Sequence, residues 1–109
     1  MEVKEVIKFL DRDTVEYLTR KATLVVTHKG SVCVKNKQEL LEGIYVAFEG
    51  VLERELLKKK GTTKEDFSSL FAKLPQKTIK RKVENAVERL LREGYLVPTE
   101  RGYKIVKKK

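Results

Sequence analysis

The most informative part of the sequence is residues 77–106, which read KTIKRKVENAVERLLREGYLVPTERGYKIV. Apolar residues recur at helical spacing in its first half, and they predict a helix over residues 77–93 with one buried face. The apolar positions of this face are Ile79, Val83, Ala86, Val87, Leu90 and Leu91. Gly94 is expected to end the helix, and residues 95–97 and 103–106 are rich in residues that favour strands. This part of the chain therefore predicts a helix followed by a β-hairpin.

A shorter helix is predicted just before it, over residues 64–72. Thr63 has the hydroxyl expected of an N-cap, and acidic residues in the first turn favour the helix dipole. Pro75 disfavours helical geometry at Leu74, so we expect a turn between the two helices.

A long helix is predicted from Asn36 or Lys37 to about Lys60, and Gly61 is expected to end it. Its broad apolar stripe contains Leu41, Ile44, Tyr45, Phe48, Val51, Leu52 and Leu56. Gly43, Ala47 and Gly50 add a ridge of small residues. Because glycine in a helix costs about 1 kcal/mol relative to alanine, we expect a close neighbour at this ridge. That neighbour is either another part of this chain or a second subunit.

The first 36 residues predict a helix over residues 2–10 and a possible second short helix for which Asp13 is the expected N-cap. Whether these are one helix or two is left open by the pattern. Residues 23–27 and 31–34 are rich in β-branched residues and lie on either side of Lys29–Gly30, which predicts a β-hairpin.

The order of helix, helix, helix and hairpin over residues 38–106 closes with Leu90-Leu91-Arg92-Glu93-Gly94-Tyr95-Leu96. It resembles the winged helix-turn-helix family, as found in small regulators of archaea and their viruses. The resemblance implies an α+β, mainly α fold with a winged helix-turn-helix domain over residues 37–109. Residues 1–36 then form an extension made of a helix and a β-hairpin, which is a candidate dimerisation element.

The whole chain has a formal net charge of +9. Its positive charge is concentrated in the second half. Residues 61–109 hold 13 basic and 6 acidic side chains. The segments 73–82 and 101–109 each contain five basic residues and no acidic residue. Such acid-free clusters indicate a polyanionic partner, although lysine on a surface also serves solubility.

The resemblance implies that the predicted helix over residues 77–93 enters the major groove of DNA and that the wing over residues 95–106 contacts the flanking backbone or the minor groove. At 100° per residue, the side opposite the apolar face holds Thr78, Arg81, Asn85, Glu88 and Arg92. The first three of these are the candidate base-reading residues. These residues would otherwise be an ordinary solvated helix face. The candidate contacts to the DNA backbone are Lys73, Lys77, Lys80, Lys82, Arg101, Lys104, Lys107, Lys108 and Lys109.

The function expected from these features is sequence-specific binding of double-stranded DNA, most simply as a transcriptional regulator. A homodimer is expected, because dimers read two half-sites, and Gly43, Ala47 and Gly50 are the candidate interface. The alternative is a winged-helix module that binds other proteins within transcription or replication machinery. RNA has a negatively charged backbone like that of DNA, so the basic clusters also fit binding to RNA.

Enzymatic activity is not expected. The chain has one cysteine and one histidine, and it lacks a glycine-rich phosphate loop and the residue spacing of a metal site or a nucleophilic triad. No catalytic residue, metal or cofactor is therefore predicted. No apolar run approaches the roughly 20 residues that span a bilayer, so we expect a cytoplasmic protein with no membrane partner. The charged fraction of 38% resembles that of thermophile proteins.

Overall fold

The computed structural model describes residues 2–28, 36–100 and 102–106. In these residues the protein is mainly helical, with a small antiparallel hairpin near the end of the chain. The elements are α1 (Val3–Phe9), α2 (Arg12–His28), α3 (Lys37–Lys60), α4 (Lys64–Lys73), α5 (Gln76–Arg92), β1 (Leu96–Thr99) and β2 (Gly102–Ile105). The expectation of an α+β, mainly α chain is confirmed at this level.

The predicted ends of α3 and the predicted start of α4 are confirmed by their capping groups. The side-chain oxygen of Asn36 accepts a hydrogen bond from the backbone N–H of Glu39 at 2.8 Å. Gly61 follows α3 in the left-handed conformation, with φ of 66°. The hydroxyl of Thr63 caps α4 by accepting from the backbone N–H of Asp66 at 3.2 Å.

The junction between α5 and the hairpin has the geometry of a Schellman motif. Gly94 has φ of 79°, and its N–H donates to the carbonyl of Leu91 at 3.3 Å. The N–H of Tyr95 donates to the carbonyl of Leu90 at 2.9 Å. The chain therefore turns directly from α5 into β1, where Leu96 pairs with Ile105.

The strand predicted over residues 23–27 is wrong, because these residues form the last turns of α2. The buried residues Leu18, Thr19, Ala22 and Thr23 follow the helical period and face α3 and α5. The hydroxyl of Thr23 also donates to the carbonyl of Thr19 at 2.7 Å, a bond available only within a helix. Burial of this face outweighs the weak strand preference of the β-branched residues. The second predicted strand, 31–34, lies outside the described residues.

Residues 2–28 form two helices, which answers the question that the sequence pattern left open. The N-cap of α2 is Asp11, whose carboxylate accepts from the backbone N–H of Thr14 at 2.8 Å. Asp13, the expected cap, lies instead in the first turn of α2. The cap is two residues earlier because α1 ends at Phe9 and leaves only Leu10 and Asp11 as the link.

Helices α2, α3 and α5 pack around one core, to which α1, α4 and β1 add side chains. Leu18, Ile44, Phe48 and Val87 have no solvent exposure. The predicted apolar face of α5 is confirmed, since Leu91 is half-buried and the other five apolar residues are buried. The opposite face of α5 is thereby turned away from the core.

Candidate nucleic-acid interface

Gln76 holds the start of α5 in place. Its side-chain amide nitrogen donates to the carbonyl of Phe71 at 2.6 Å and to that of Leu74 at 3.2 Å. Its side-chain oxygen accepts from the hydroxyl of Tyr45 on α3. Burial raises the pKa of Tyr45 above its ordinary value of 10.0, so this hydroxyl stays a proton donor at neutral pH. The bonds connect α3, the turn after α4 and the first residue of α5.

The three candidate base-reading residues lie together on the outer face of α5. Thr78, Arg81 and Asn85 are all exposed. The buried residues Ile79, Val83 and Ala86 lie on the opposite face of the helix. The three polar side chains thus share a rigid support whose other side is fixed in the core.

The candidate phosphate-contacting lysines have two kinds of surroundings. Lys73, Lys77 and Lys80 are exposed, and the Lys80 Nζ lies 5.3 Å from the centre of the Tyr45 ring. Lys82 is half-buried, and its Nζ donates to the backbone carbonyl of Leu10 at 3.0 Å. Lys82 therefore differs from the others in donating a hydrogen bond to the backbone of another part of the chain.

The hairpin places Lys104 in an exposed position on β2, opposite Val97 of β1. Tyr95 and Tyr103 are half-buried and pack against the core. The guanidinium of Arg20 on α2 lies 4.6 Å from the centre of the Tyr95 ring. Arg101, Lys107, Lys108 and Lys109 lie outside the described residues.

Two grooves run beside the outer face of α5, and Asn85 and Glu88 line both of them. The α2–α5 groove has a volume of about 660 Å³, and its charged residues are Arg12, Glu16, Lys82, Glu88, Arg89 and Arg92. The α3–α5 groove has a volume of about 880 Å³, and its charged residues are Lys37, Glu42, Lys80, Glu84 and Glu88. The face that holds Asn85 is thus a ridge between two depressions.

Ion pairs connect α5 to the helices on both sides. The carboxylate of Glu16 on α2 binds the guanidinium of Arg89 and lies 3.5 Å from the Nε of Arg12. On the other side, Lys37 binds Glu88. The sequence pattern did not identify Arg12 as part of this surface, because no local signal shows that α2 packs against α5.

The ridge of small residues on α3 divides into parts with different neighbours. A Cβ atom at Gly43 would lie 3.6 Å from a methyl group of Val26, so α2 of the same chain is its close neighbour. Ala47 is half-buried and packs against the core. Gly50 is exposed, and a Cβ atom there would have nothing within 4 Å. Packing within the chain accounts for Gly43 and leaves Gly50 without a contact among the described residues.

Two other kinds of site, a membrane span and a metal centre, depend on the helices and on the acidic, histidine and cysteine side chains of the described part of the chain. None of its helices combines the length and apolar character needed to cross a membrane. Nor do three or more His, Cys, Asp or Glu side chains come together there as metal ligands would. No protein-family model matches the chain, and no curated protein and no solved structure matches it.

Proposed function

We propose that this protein binds double-stranded DNA sequence-specifically in the cytoplasm, as a transcriptional regulator of the winged helix-turn-helix type. In this proposal α5 enters the major groove and the hairpin contacts the flanking backbone or the minor groove. The observation that carries the proposal is the exposure of Thr78, Arg81 and Asn85 on one face of a helix whose other face is buried.

The chemistry of this face suits the edges of base pairs. The guanidinium of Arg81 can donate two hydrogen bonds to guanine, and the amide of Asn85 can both donate to and accept from adenine. Helix α5 has 17 residues and is about 25 Å long, and the major groove of B-DNA is wide enough to admit an α-helix.

The basic residues around α5 supply contacts that hold the duplex without reading its sequence. We assign this function to the exposed Lys73, Lys77 and Lys80, and to Lys104 on the hairpin. Arg101 and the lysines at 107–109 belong to the same proposed set. Lys82 is assigned to holding the link after α1, because its Nζ is bonded to Leu10.

The proposal is tested by fluorescence anisotropy of labelled DNA duplexes across a salt series. We expect affinity to fall as salt rises, with a slope of about −0.9 in log–log form for each phosphate neutralised. Double-stranded RNA should compete poorly, because its deep and narrow major groove does not admit a helix. A chain that binds no duplex DNA at low salt would contradict the proposal.

Two variants and one control then distinguish residues that read the base sequence from residues that hold the DNA backbone. Arg81→Ala should relax the sequence preference, whereas removal of the lysines at 107–109 should weaken binding to all sequences about equally. Arg54→Ala is the matched control, since Arg54 is an exposed arginine on α3. If the first two changes have the same effect, the assignment of reading to Arg81 is wrong.

Binding to another protein is the second candidate function, and one observation favours it. Val46 is 70% exposed at the α3–α5 groove, next to the half-buried Leu41 and Tyr45. Exposed apolar side chains in a groove are typical of protein-binding surfaces. Failure to bind duplex DNA at low salt would favour this candidate over the first.

A further inference from the structure

Helix α5 lies between two grooves, and their charges indicate which groove is better suited to hold a strand of the DNA backbone. A helix in the major groove lies between the two sugar–phosphate strands, so one strand passes along each of its flanks. In this protein the flanks of α5 are the α2–α5 groove and the α3–α5 groove, separated by Asn85 and Glu88. The two grooves differ in charge.

The α2–α5 groove is the basic one. Four cationic and two acidic side chains line it, whereas two cationic and three acidic side chains line the α3–α5 groove. A polyanion is therefore attracted more strongly to the side of α2 than to the side of α3, where the acidic side chains offset Lys37 and Lys80.

The acidic residues of the α2–α5 groove are already neutralised within the chain. Glu16 binds Arg89 and lies close to Arg12, and Glu88 binds Lys37 of the opposite groove. The side chain of Arg12 nevertheless stays 69% exposed. Arg92 is also exposed, on the last turn of α5. Two arginine side chains are thus available to a ligand at this groove.

The α3–α5 groove lacks these properties. Glu42 and Glu84 are exposed there, and neither forms an ion pair with another described residue. Val46 also lines this groove and is 70% exposed. A phosphate placed here meets Lys80, but also two carboxylates without an ion-pair partner among the described residues and an apolar side chain.

We propose that the α2–α5 groove holds one sugar–phosphate strand of the DNA duplex, with Arg12 and Arg92 as its phosphate-binding residues. This inference rests on the proposed function, and it assigns to α2 a part in binding that the basic clusters at 73–82 and 101–109 do not include. Arginine suits this task because its planar guanidinium binds phosphate oxygens in pairs.

The test measures duplex binding by anisotropy across a salt series for Arg12→Gln, Arg92→Gln and the double variant of the full chain. Each single change should reduce the magnitude of the salt slope by about 0.9 and the affinity at 0.1 M salt by about eightfold, which is the salt-dependent factor for one phosphate. The loss should be the same for duplexes of different sequence. Arg54→Gln, the same change at an exposed site outside both grooves, should alter neither quantity.

A reciprocal variant tests the opposite groove. Val46→Lys adds a cation at an exposed position of the α3–α5 groove, and we expect the salt slope to stay unchanged. An increase of about 0.9 in the magnitude of that slope, together with Arg12→Gln and Arg92→Gln behaving like Arg54→Gln, would place the bound strand on the side of α3 and overturn the proposal. Far-ultraviolet circular dichroism and thermal melting of each variant show that it is folded.

The failure of this inference is distinguishable from that of the proposed function. If the unmodified chain binds duplex DNA and Arg81→Ala alters its sequence preference, but Arg12→Gln and Arg92→Gln behave like Arg54→Gln, the groove assignment is overturned and the proposed function stands. A loss confined to one duplex sequence would also overturn it, since that result identifies a base contact. If the unmodified chain does not bind duplex DNA, both proposals fail.

Discussion

The Nζ of Lys82 donates a hydrogen bond to the backbone carbonyl of Leu10 at 3.0 Å, and these two residues lie 72 positions apart in the chain. Leu10 belongs to the link between α1 and α2, and Lys82 lies in the middle of α5. The bond therefore holds the start of α2 against α5. It also explains why Lys82 is half-buried when its basic neighbours Lys80 and Arg81 are exposed.

Replacing Lys82 by methionine should destabilise the fold. The change keeps an unbranched side chain of similar length and removes the nitrogen that bonds to Leu10. We expect the free energy of unfolding to fall by about 1 kcal/mol, the usual contribution of a partly exposed hydrogen bond. Urea denaturation measures the change, and Lys77→Met on the exposed part of α5 is the control. Equal effects of the two variants would show that the bond contributes nothing.

Two threonines of α2 should respond in opposite directions to the same substitution. Both are fully buried, and the Thr23 hydroxyl donates to the carbonyl of Thr19. The hydroxyl oxygen of Thr19 has no hydrogen-bond partner among the residues that the structure describes. Thr19→Val should therefore raise the free energy of unfolding by about 1 kcal/mol, because a methyl group replaces a buried, unsatisfied hydroxyl.

Thr23→Val is the matched comparison, since it removes a hydroxyl that is bonded. It should lower the free energy of unfolding by about 1 kcal/mol, and the similar helix propensities of threonine and valine leave the backbone term nearly unchanged. Urea denaturation of both variants provides the measurement. A loss of stability in Thr19→Val equal to that in Thr23→Val would contradict the prediction.

The stability of the protein should fall in acid partly through Asp11. Hydrogen bonds from the backbone and the side chain of Thr14 hold the pKa of Asp11 below its ordinary value of 3.8. The resulting stabilisation is fully present above pH 3.8, the value for the unfolded chain, and is lost as the pH falls through the lower pKa of the folded chain.

The variant Asp11→Asn separates the contribution of Asp11 to the pH dependence of stability from the contributions of the other acidic groups. Asparagine keeps a side-chain oxygen that can cap α2 and removes the titrating carboxylate. We expect the melting temperature of the variant to fall less than that of the unmodified chain between pH 5 and pH 2. Thermal melts followed by circular dichroism over this range give the comparison, and parallel curves would show that Asp11 contributes nothing.

A homodimer remains a prediction, and Gly50 provides its sharpest test. The exposed position of Gly50 on α3, with open space around a Cβ atom, allows a large side chain in a single chain. We expect light scattering at micromolar concentration to show a dimer and Gly50→Arg to convert it into a monomer with unchanged helix content. If the unmodified chain is a strict monomer, the prediction of a dimer is wrong. If it is a dimer that Gly50→Arg does not affect, Gly50 does not lie in the interface.

Several helix ends from α3 onward were predictable from short patterns. Caps at Asn36 and Thr63 depend on hydrogen bonds to residues three positions later. Gly61 and Gly94 adopt positive φ, which glycine tolerates best. Such features depend on a few neighbouring residues, and the sequence contains all of them.

The predicted strand over residues 23–27 failed because strand and helix preferences of β-branched residues are weak compared with burial. The apolar residues in this segment fit both the two-residue period of a strand and the 3.6-residue period of a helix. The contact of α2 with α3 and α5 determines which of the two is adopted.

The sequence alone therefore specified α4, α5, the hairpin and the exposed face with Thr78, Arg81 and Asn85, because helical periodicity assigns each residue to a side. Only the tertiary structure brought Glu16 to Arg89, 73 positions away, and Lys37 to Glu88, 51 positions away. The packing of α2 and α3 against α5 also leaves a basic groove on one side of α5 and a groove with more acidic than basic side chains on the other. They depend on how whole helices pack, and no local pattern encodes the distance between helices so far apart in the chain.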